Sequence, residues 1–476
     1  MMTAQWALAE LKFACLGDRR RVKRLARIVS DLASQPHASV PQASGDWAAT
    51  QGAYDFWSSP RVSSDAIRQA HQKSTLERVK AHPIVLAIQD TTELNFTHHK
   101  SKKGMGHLDS ATSRGLKVHS VFCSSANGVP LGVLHQQVWA RDSTTIGKKH
   151  SRNQTETKDK ESQRWLTALD GTQKVSPESI TVLTVADREA DIYDFLATER
   201  PGNSQLLIRA YHNRQVKNSD GTLEVERLQS AIAKVPLAGQ LDLELRANPQ
   251  RLARKATLNL RATTVEILPP QSHPHRQNLQ PLRVQVILAC EENPPATEKP
   301  VSWLLLTTLP INGFEDIVQC LRWYSYRWLI ERYHYVLKSG CGLEQLQLET
   351  ADRIERALST YTIVAWRLLW MIYESRHHPD TLADTILETH EWQALYCTIH
   401  STPIPTESPP TLSNCIRWIA KLGGFLGRKG DGEPGVKTLW RGWQRLHDIA
   451  ATWKLVSTHS PPDVKPDFVK KDVSKA

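Results

Sequence analysis

Tyr324, Arg327, Glu331 and Lys338 fall in one run, YSYRWLIERYHYVLK. On a helix of about 3.6 residues per turn, their spacing places them within an arc of roughly 60°. A carboxylate on such a stripe can hold a metal ion while the guanidinium, ammonium and phenol grip phosphates. The plain alternative is an exposed helix face laced by the i,i+4 pair Arg327 and Glu331. Two upstream aspartates bear on the choice. PIVLAIQD and SITVLTVAD each read as a buried strand ending in an aspartate, Asp90 and Asp187. Open α/β sheets bind ligands at the carboxyl ends of their strands. Either aspartate alone can simply cap the turn that follows. Together with Glu331 on a later helix they form a set able to hold two Mg²⁺ or Mn²⁺ ions about 3.5–4 Å apart. One ion would make a nucleophile of a water or a 3′-hydroxyl, and the other would neutralise the leaving oxygen at phosphorus. All-oxygen ligands suit these ions better than zinc.

The elements that must position these residues follow from local pattern. Residues 1–66 read as helical. LGDRRRVKRLARIVSDLAS opens on a capping Asp18 and sets Arg19, Arg20, Arg21, Lys23, Arg24 and Arg27 against an apolar face of Val22, Leu25, Ile28, Val29 and Leu32. A second helix near DWAATQGAYDFWSS follows a break at Pro41. From residue 67 strands and helices alternate. GLKVHSVFCSS, VPLGVLHQQVWA and SQLLIRAY read as strands, and READIYDFLATER as a helix. RDSTTIGKKHSRNQTETKDKES has loop composition. Residues 211–300 form a β-rich insertion, after which VSWLLLTTLP returns to a buried strand. One long helix then carries the opening motif and ends near Gly340 and Gly342. The resulting domains are 1–66, 67–370 and 371–476, the last helical and closed by TLWRGWQRLHDIAATWKLV and a charged tail expected to be disordered.

Composition narrows the partners. The 476 residues carry 60 Lys+Arg against 49 Asp+Glu, a net charge of +11 that favours a polyanion such as nucleic acid, or an anionic membrane surface. No apolar run approaches the ~18 residues of a spanning helix, and the start lacks the pattern of a signal peptide. Cys15, Cys123, Cys290, Cys320, Cys341, Cys397 and Cys415 form no CxxC pair, which suits a reducing cytoplasm and argues against a disulfide scaffold or a thiolate zinc site.

The triad and the strand order resemble the ribonuclease H-like fold of DDE transposases. Tyr324, Arg327, Glu331 and Lys338 match a Y-x2-R-x3-E-x6-K signature, and DREAD stands at 187–191. With LGDRRRVKRL, QGAYDF, AIQDTT, VSWLLLT, LGGF and LWRGW, the likeness spans almost the whole chain. It resembles the insertion-sequence-four family and, within it, the Tn5-type cut-and-paste enzymes. The resemblance implies an α/β ribonuclease H-like mixed sheet with a β-strand insertion, between an α-helical N-terminal DNA-binding domain and an α-helical C-terminal dimerisation domain. It makes Asp90, Asp187 and Glu331 the metal-binding catalytic triad, with Mg²⁺ as cofactor and Mn²⁺ as substitute. Tyr324, Arg327 and Lys338 would contact phosphates at the transposon end. Trp303 would meet a flipped base during hairpin formation. Arg209 and Arg214 are expected as further phosphate ligands, and Arg20, Arg24 and Arg27 as contacts to the terminal inverted repeat. The implied partners are double-stranded DNA, as element ends and target, and a second copy of the chain whose contact includes LWRGW. A cytoplasmic, nucleoid-associated bacterial location follows, with no membrane. A nuclease that cuts without strand transfer, a non-catalytic DNA-binding derivative and a small phosphate-ester hydrolase are the competing readings.

Overall fold

The structure, a computed structural model, describes residues 3–110, 112–142, 160–218, 225–245, 252–296, 298–428 and 431–459. Most of the charged loop (143–159) and the C-terminal tail (460–476) lie outside the described residues. No described helix is long and apolar enough to cross a membrane. The chain forms two compact units, one ending at Glu374 and the other beginning at Ser375.

The first unit opens on five helices: α1 (Gln5–Glu10), α2 (Arg19–Ser34), α3 (Val40–Ser44), α4 (Trp47–Ser58) and α5 (Ser64–Val79). Asp18 starts α2 as expected, accepting the Arg20 N–H. Pro41 does not break the chain; it sits in the first turn of α3, where a missing N–H costs nothing. These helices share a core with the rest of the unit. Trp57 is fully buried, stacks on Tyr361 and donates its indole N–H to Thr360 Oγ1 at 3.2 Å.

The sheet begins with β1 (Ile84–Asn95), β2 (Gly106–His107), β3 (Arg114–Ser125) and β4 (Pro130–Trp139). Helix α6 (Gln163–Gln173), β5 (Thr181–Ala186), a 3₁₀ turn (Arg188–Ala190), α7 (Tyr193–Ala197) and β6 (Ser204–Arg209) follow. β3 pairs antiparallel with β1 and β4, while β1, β5 and β6 run parallel. This is the ribonuclease H-like order expected. The stretch read as one helix after Asp187 is instead the 3₁₀ turn and the short α7.

The insertion comprises β7 (Gln215–Asn218), β8 (Val225–Arg227), α8 (Leu228–Lys234), β9 (Gly239–Leu245), β10 (Arg254–Ile267) and β11 (Leu282–Glu291). It does not stand apart from the sheet. β12 (Ser302–Thr307) pairs with β6 on one edge and β11 on the other, so the insertion extends the same sheet. Helices α9 (Phe314–Ser325), α10 (Trp328–Tyr335) and α11 (Ala351–His377) follow.

The second unit contains α12 (Thr389–His400), α13 (Leu412–Leu422) and α14 (Val436–His459). LWRGW lies within α14, and its apolar side belongs to this unit's own core. Leu439 and Trp440 are buried, and a Cβ on Gly442 would stand 1.6 Å from the Ile419 carbonyl oxygen. Only a glycine lets α13 and α14 cross that closely. Gly442 of LWRGW thus sits at an internal crossing of α13 and α14, while Arg441 is exposed and Trp443 half-buried. Farther along α14, Leu455 and Val456 are exposed.

Candidate functional site

β1 and β5 pair with Ile84 opposite Thr181 and Ile88 opposite Val185. Carried two residues further, that register sets Asp90 beside Asp187 on strands about 4.8 Å apart. β1 does not end at Asp90, as the apolar run suggested; it continues to Asn95, laddered against β3 as far as Gly115. Asp187 is the first residue after β5. Its Oδ1 accepts the Glu189 N–H at 2.8 Å, so it also caps the 3₁₀ turn.

The helix α10 adds Glu331 to the same field. Burial lifts Asp90 from its ordinary 3.8 to about 7; the negative charges of Asp187 and Glu331 push the same way, against the Thr91 N–H and Arg327. His334 Nδ1 lies 3.7 Å from Asp90 Oδ2. Burial drags that imidazole down to about 3, so it is neutral and supplies no compensating charge. Glu331 is hydrogen-bonded by Arg327, and among the described residues no three acidic, histidine or cysteine side chains close around one point as a ready metal cage. The donors are all carboxylate oxygens, and burial together with the charges of Asp187 and Glu331 raises the proton affinity of Asp90. A hard divalent cation fits that field.

The four signature residues do not share one continuous helix. α9 ends at Ser325, and the joint is tightened by bonds from Tyr326 N to Trp323 O (3.1 Å) and Arg327 N to Tyr324 O (3.0 Å). After α10 the chain widens into a π-helical turn, Val336–Gly340, which carries Lys338. The single 60° stripe is thus corrected to three short segments of different pitch. The joint has a tertiary cause. Tyr326 packs on Gly128 of the β3–β4 turn (φ 85°), where a Cβ would come 2.7 Å from the ring. Lys338 Nζ lies 3.8 Å from Glu344.

A second cluster flanks the carboxylates. Tyr324 is buried, and that burial pushes its phenol up, with Arg327 and Arg209 pulling the other way. Trp303 on β12 meets Tyr324 edge-to-face at 5.6 Å. It is partly exposed, unlike Leu305 and Leu306 farther along β12. Arg209 closes β6 and donates to the Ser302 carbonyl at 2.9 Å.

Two family models match the chain: Transposase DNA-binding over residues 3–62, and Transposase Tn5 dimerisation domain over residues 363–458. Both matched segments are those of a Tn5-type transposase. The two matches assign DNA binding to α1–α4 and dimerisation to the C-terminal helices. Transposase domains of these two kinds imply an enzyme that cuts DNA and joins strands.

Within the transposase three expected DNA contacts are committed elsewhere. Arg214 reaches buried Asp191 through Nε (3.0 Å) and Nη2 (2.7 Å), and is only 9% exposed. It is corrected from a phosphate ligand to half of a buried ion pair. Arg27 pairs with Asp31 at 3.5 Å and Asp46 at 3.8 Å. Arg209 is partly tied to Ser302 and Tyr324. By contrast Arg20 and Arg24 lie exposed on the transposase's basic helix α2, Arg20 with an Asp18 contact at 3.5 Å. Sequence reasoning missed Asp191. Its signal was present as the last residue of DREAD, the only acidic residue of that motif to be fully buried.

Proposed function

We propose that this transposase performs cut-and-paste transposition of an insertion sequence at one active site, with Asp90, Asp187 and Glu331 as the metal-binding catalytic triad. The observation that carries this reading is the register setting Asp90 beside Asp187 within the field of Glu331. Bound Mg²⁺ or Mn²⁺ would supply Lewis-acid stabilisation of charge at phosphorus. Tyr324, Arg327 and Lys338 grip the backbone at the transposon end, and Arg209 lines the same side. A water first nicks a strand at the element end. The freed 3′-hydroxyl attacks the opposite strand and closes a hairpin, a second water opens it, and the 3′-hydroxyl joins target DNA. Arg327 releases Glu331 as it engages phosphate, so substrate binding and assembly of the carboxylate set are coupled. An end-cleavage assay followed by strand-transfer analysis tests the sequence of steps; nicked ends without hairpins or joined target would leave only a nuclease.

Trp303 is assigned to the base unstacked at the hairpin, because its ring is partly exposed beside Tyr324 rather than enclosed. Base–aromatic stacking contributes about 1–3 kcal/mol. Trp303→Ala is therefore expected to slow hairpin closure by roughly 10- to 100-fold while sparing the first nick. Equal slowing of both steps in a quenched-flow assay would remove this role.

Exposed Arg24 on α2 is assigned to the inverted-repeat backbone. Arg24→Ala should weaken end binding and reduce the slope of log affinity against log salt by about one. An unchanged slope in a salt series of gel shifts would exclude a phosphate contact.

A further inference from the structure

Gln89 and Thr91 bracket Asp90 on β1. Side chains alternate along a strand, so these two face the side of the sheet opposite Asp90. There they meet His119 of β3, which is fully buried and paired with Thr91 in the ladder. His119 Nδ1 lies 2.9 Å from Thr91 Oγ1, and Nε2 lies 3.2 Å from Gln89 Oε1. Arg164, in the first turn of α6, donates Nε–H to Thr91 Oγ1 at 2.9 Å and Nη2–H to Glu189 at 2.7 Å.

Gln89 presents its Oε1, an acceptor, so His119 donates from Nε2. The neutral ring then accepts the Thr91 proton at Nδ1, while the Thr91 hydroxyl accepts from Arg164, which only donates. Burial holds His119 well below its ordinary value, so it is the neutral imidazole that this pattern requires. The edge of Trp165 fixes the ring at 4.7 Å. One end of the network is therefore the strand that carries Asp90. The other end is Glu189, whose own N–H is held by Asp187. Arg164 spans the two backbones that bear the like-charged carboxylates.

We propose that Arg164 is a positioning residue that fixes the spacing of Asp90 and Asp187 for a divalent cation, through Thr91 and His119 on one arm and Glu189 on the other. This rests on Asp90 and Asp187 being the metal ligands. The planar fork reaches both arms at once, whereas a lysine offers one compact charge and can satisfy only one. Groups that orient metal ligands typically change metal affinity or activity by about 10- to 100-fold when removed.

The test uses the full-length protein bound to element-end DNA. Mn²⁺ binding is titrated by electron paramagnetic resonance, and the Mg²⁺ concentration for half-maximal cleavage is measured in parallel. Arg164→Ala and Thr91→Val are expected to weaken Mn²⁺ binding and raise the half-maximal Mg²⁺ by about 10- to 100-fold, with end binding kept. Arg164→Lys should fall between these and the wild type. Thr91→Val keeps shape and packing, so it stands should Arg164→Ala fail to fold. Wild-type Mn²⁺ affinity in folded Thr91→Val or Arg164→Lys, including with a lowered thermal midpoint, overturns the proposal and leaves the network a folding element. Asp90→Ala serves as the reference: if it binds Mn²⁺ as the wild type does, the ligand assignment itself has failed, and the role of Arg164 falls with it.

Discussion

Asp90→Asn is expected to abolish DNA cleavage while the protein keeps its fold and becomes no less stable. Removing a group that merely orients a ligand costs about 10- to 100-fold, so loss of a ligand should exceed that, on the order of 10³-fold or more. Asp187→Ala and Glu331→Ala should behave alike, with end binding retained in all three. The stability half of the expectation follows from the sign of the Asp90 shift. Its folded-state value, about 7, lies above the 3.8 of an exposed aspartate. Between those values the folded protein holds a proton that the unfolded chain has lost, so stability falls as pH rises from about 4 to about 7. Above that window the ionised carboxylate is carried at a cost. Asparagine keeps the shape without the charge, so the thermal midpoint of Asp90→Asn at pH 8 should equal or exceed that of the wild type. A variant that is inactive because it unfolds would show the reverse. Retained cutting by any of the three variants would sink the triad.

Asp191→Ala should act in the opposite way, through folding rather than chemistry. The Asp191 carboxylate accepts the Tyr211 and His212 N–H groups at 2.8 Å, as well as the two Arg214 bonds. Its removal strands a buried guanidinium and two backbone donors, which costs about 3–5 kcal/mol. Chemical denaturation of the full chain measures this. Arg214→Ala should also lower stability and leave the salt dependence of end binding unchanged. A stable Arg214→Ala protein with a shallower salt slope would return Arg214 to the DNA surface.

These contrasts show what a linear reading can reach. The apolar runs before Asp90 and Asp187 were legible because burial on both sheet faces leaves continuous hydrophobic stretches. The end of β1 was not. Its last residues, Thr91 to Asn95, are mixed in polarity and stay in strand because β3 offers them a ladder. The α2 helix was legible from its cap and periodicity. The joint between α9 and α10 was invisible, since its cause is a tyrosine seated on a glycine almost two hundred positions earlier. Arg214 read as a free cation because nothing adjacent pairs with it; Asp191 does so only after the chain has passed through α7 and β6. The Arg164 network joins two strands, a helix and a turn, and no spacing rule connects them.

β12 has a neighbour on each side: β6 of the central sheet and β11 of the insertion. Trp303 stands opposite Ala289, and Arg209 ladders against Leu305 on the other edge. A one-residue slip between β11 and β12 would turn Trp303 to the other face and carry it away from Tyr324. The insertion thus acts as a ruler for the seating of Trp303 against Tyr324. An error of register in a strand remote from the carboxylates would displace Trp303, and with it the hairpin role proposed for that ring.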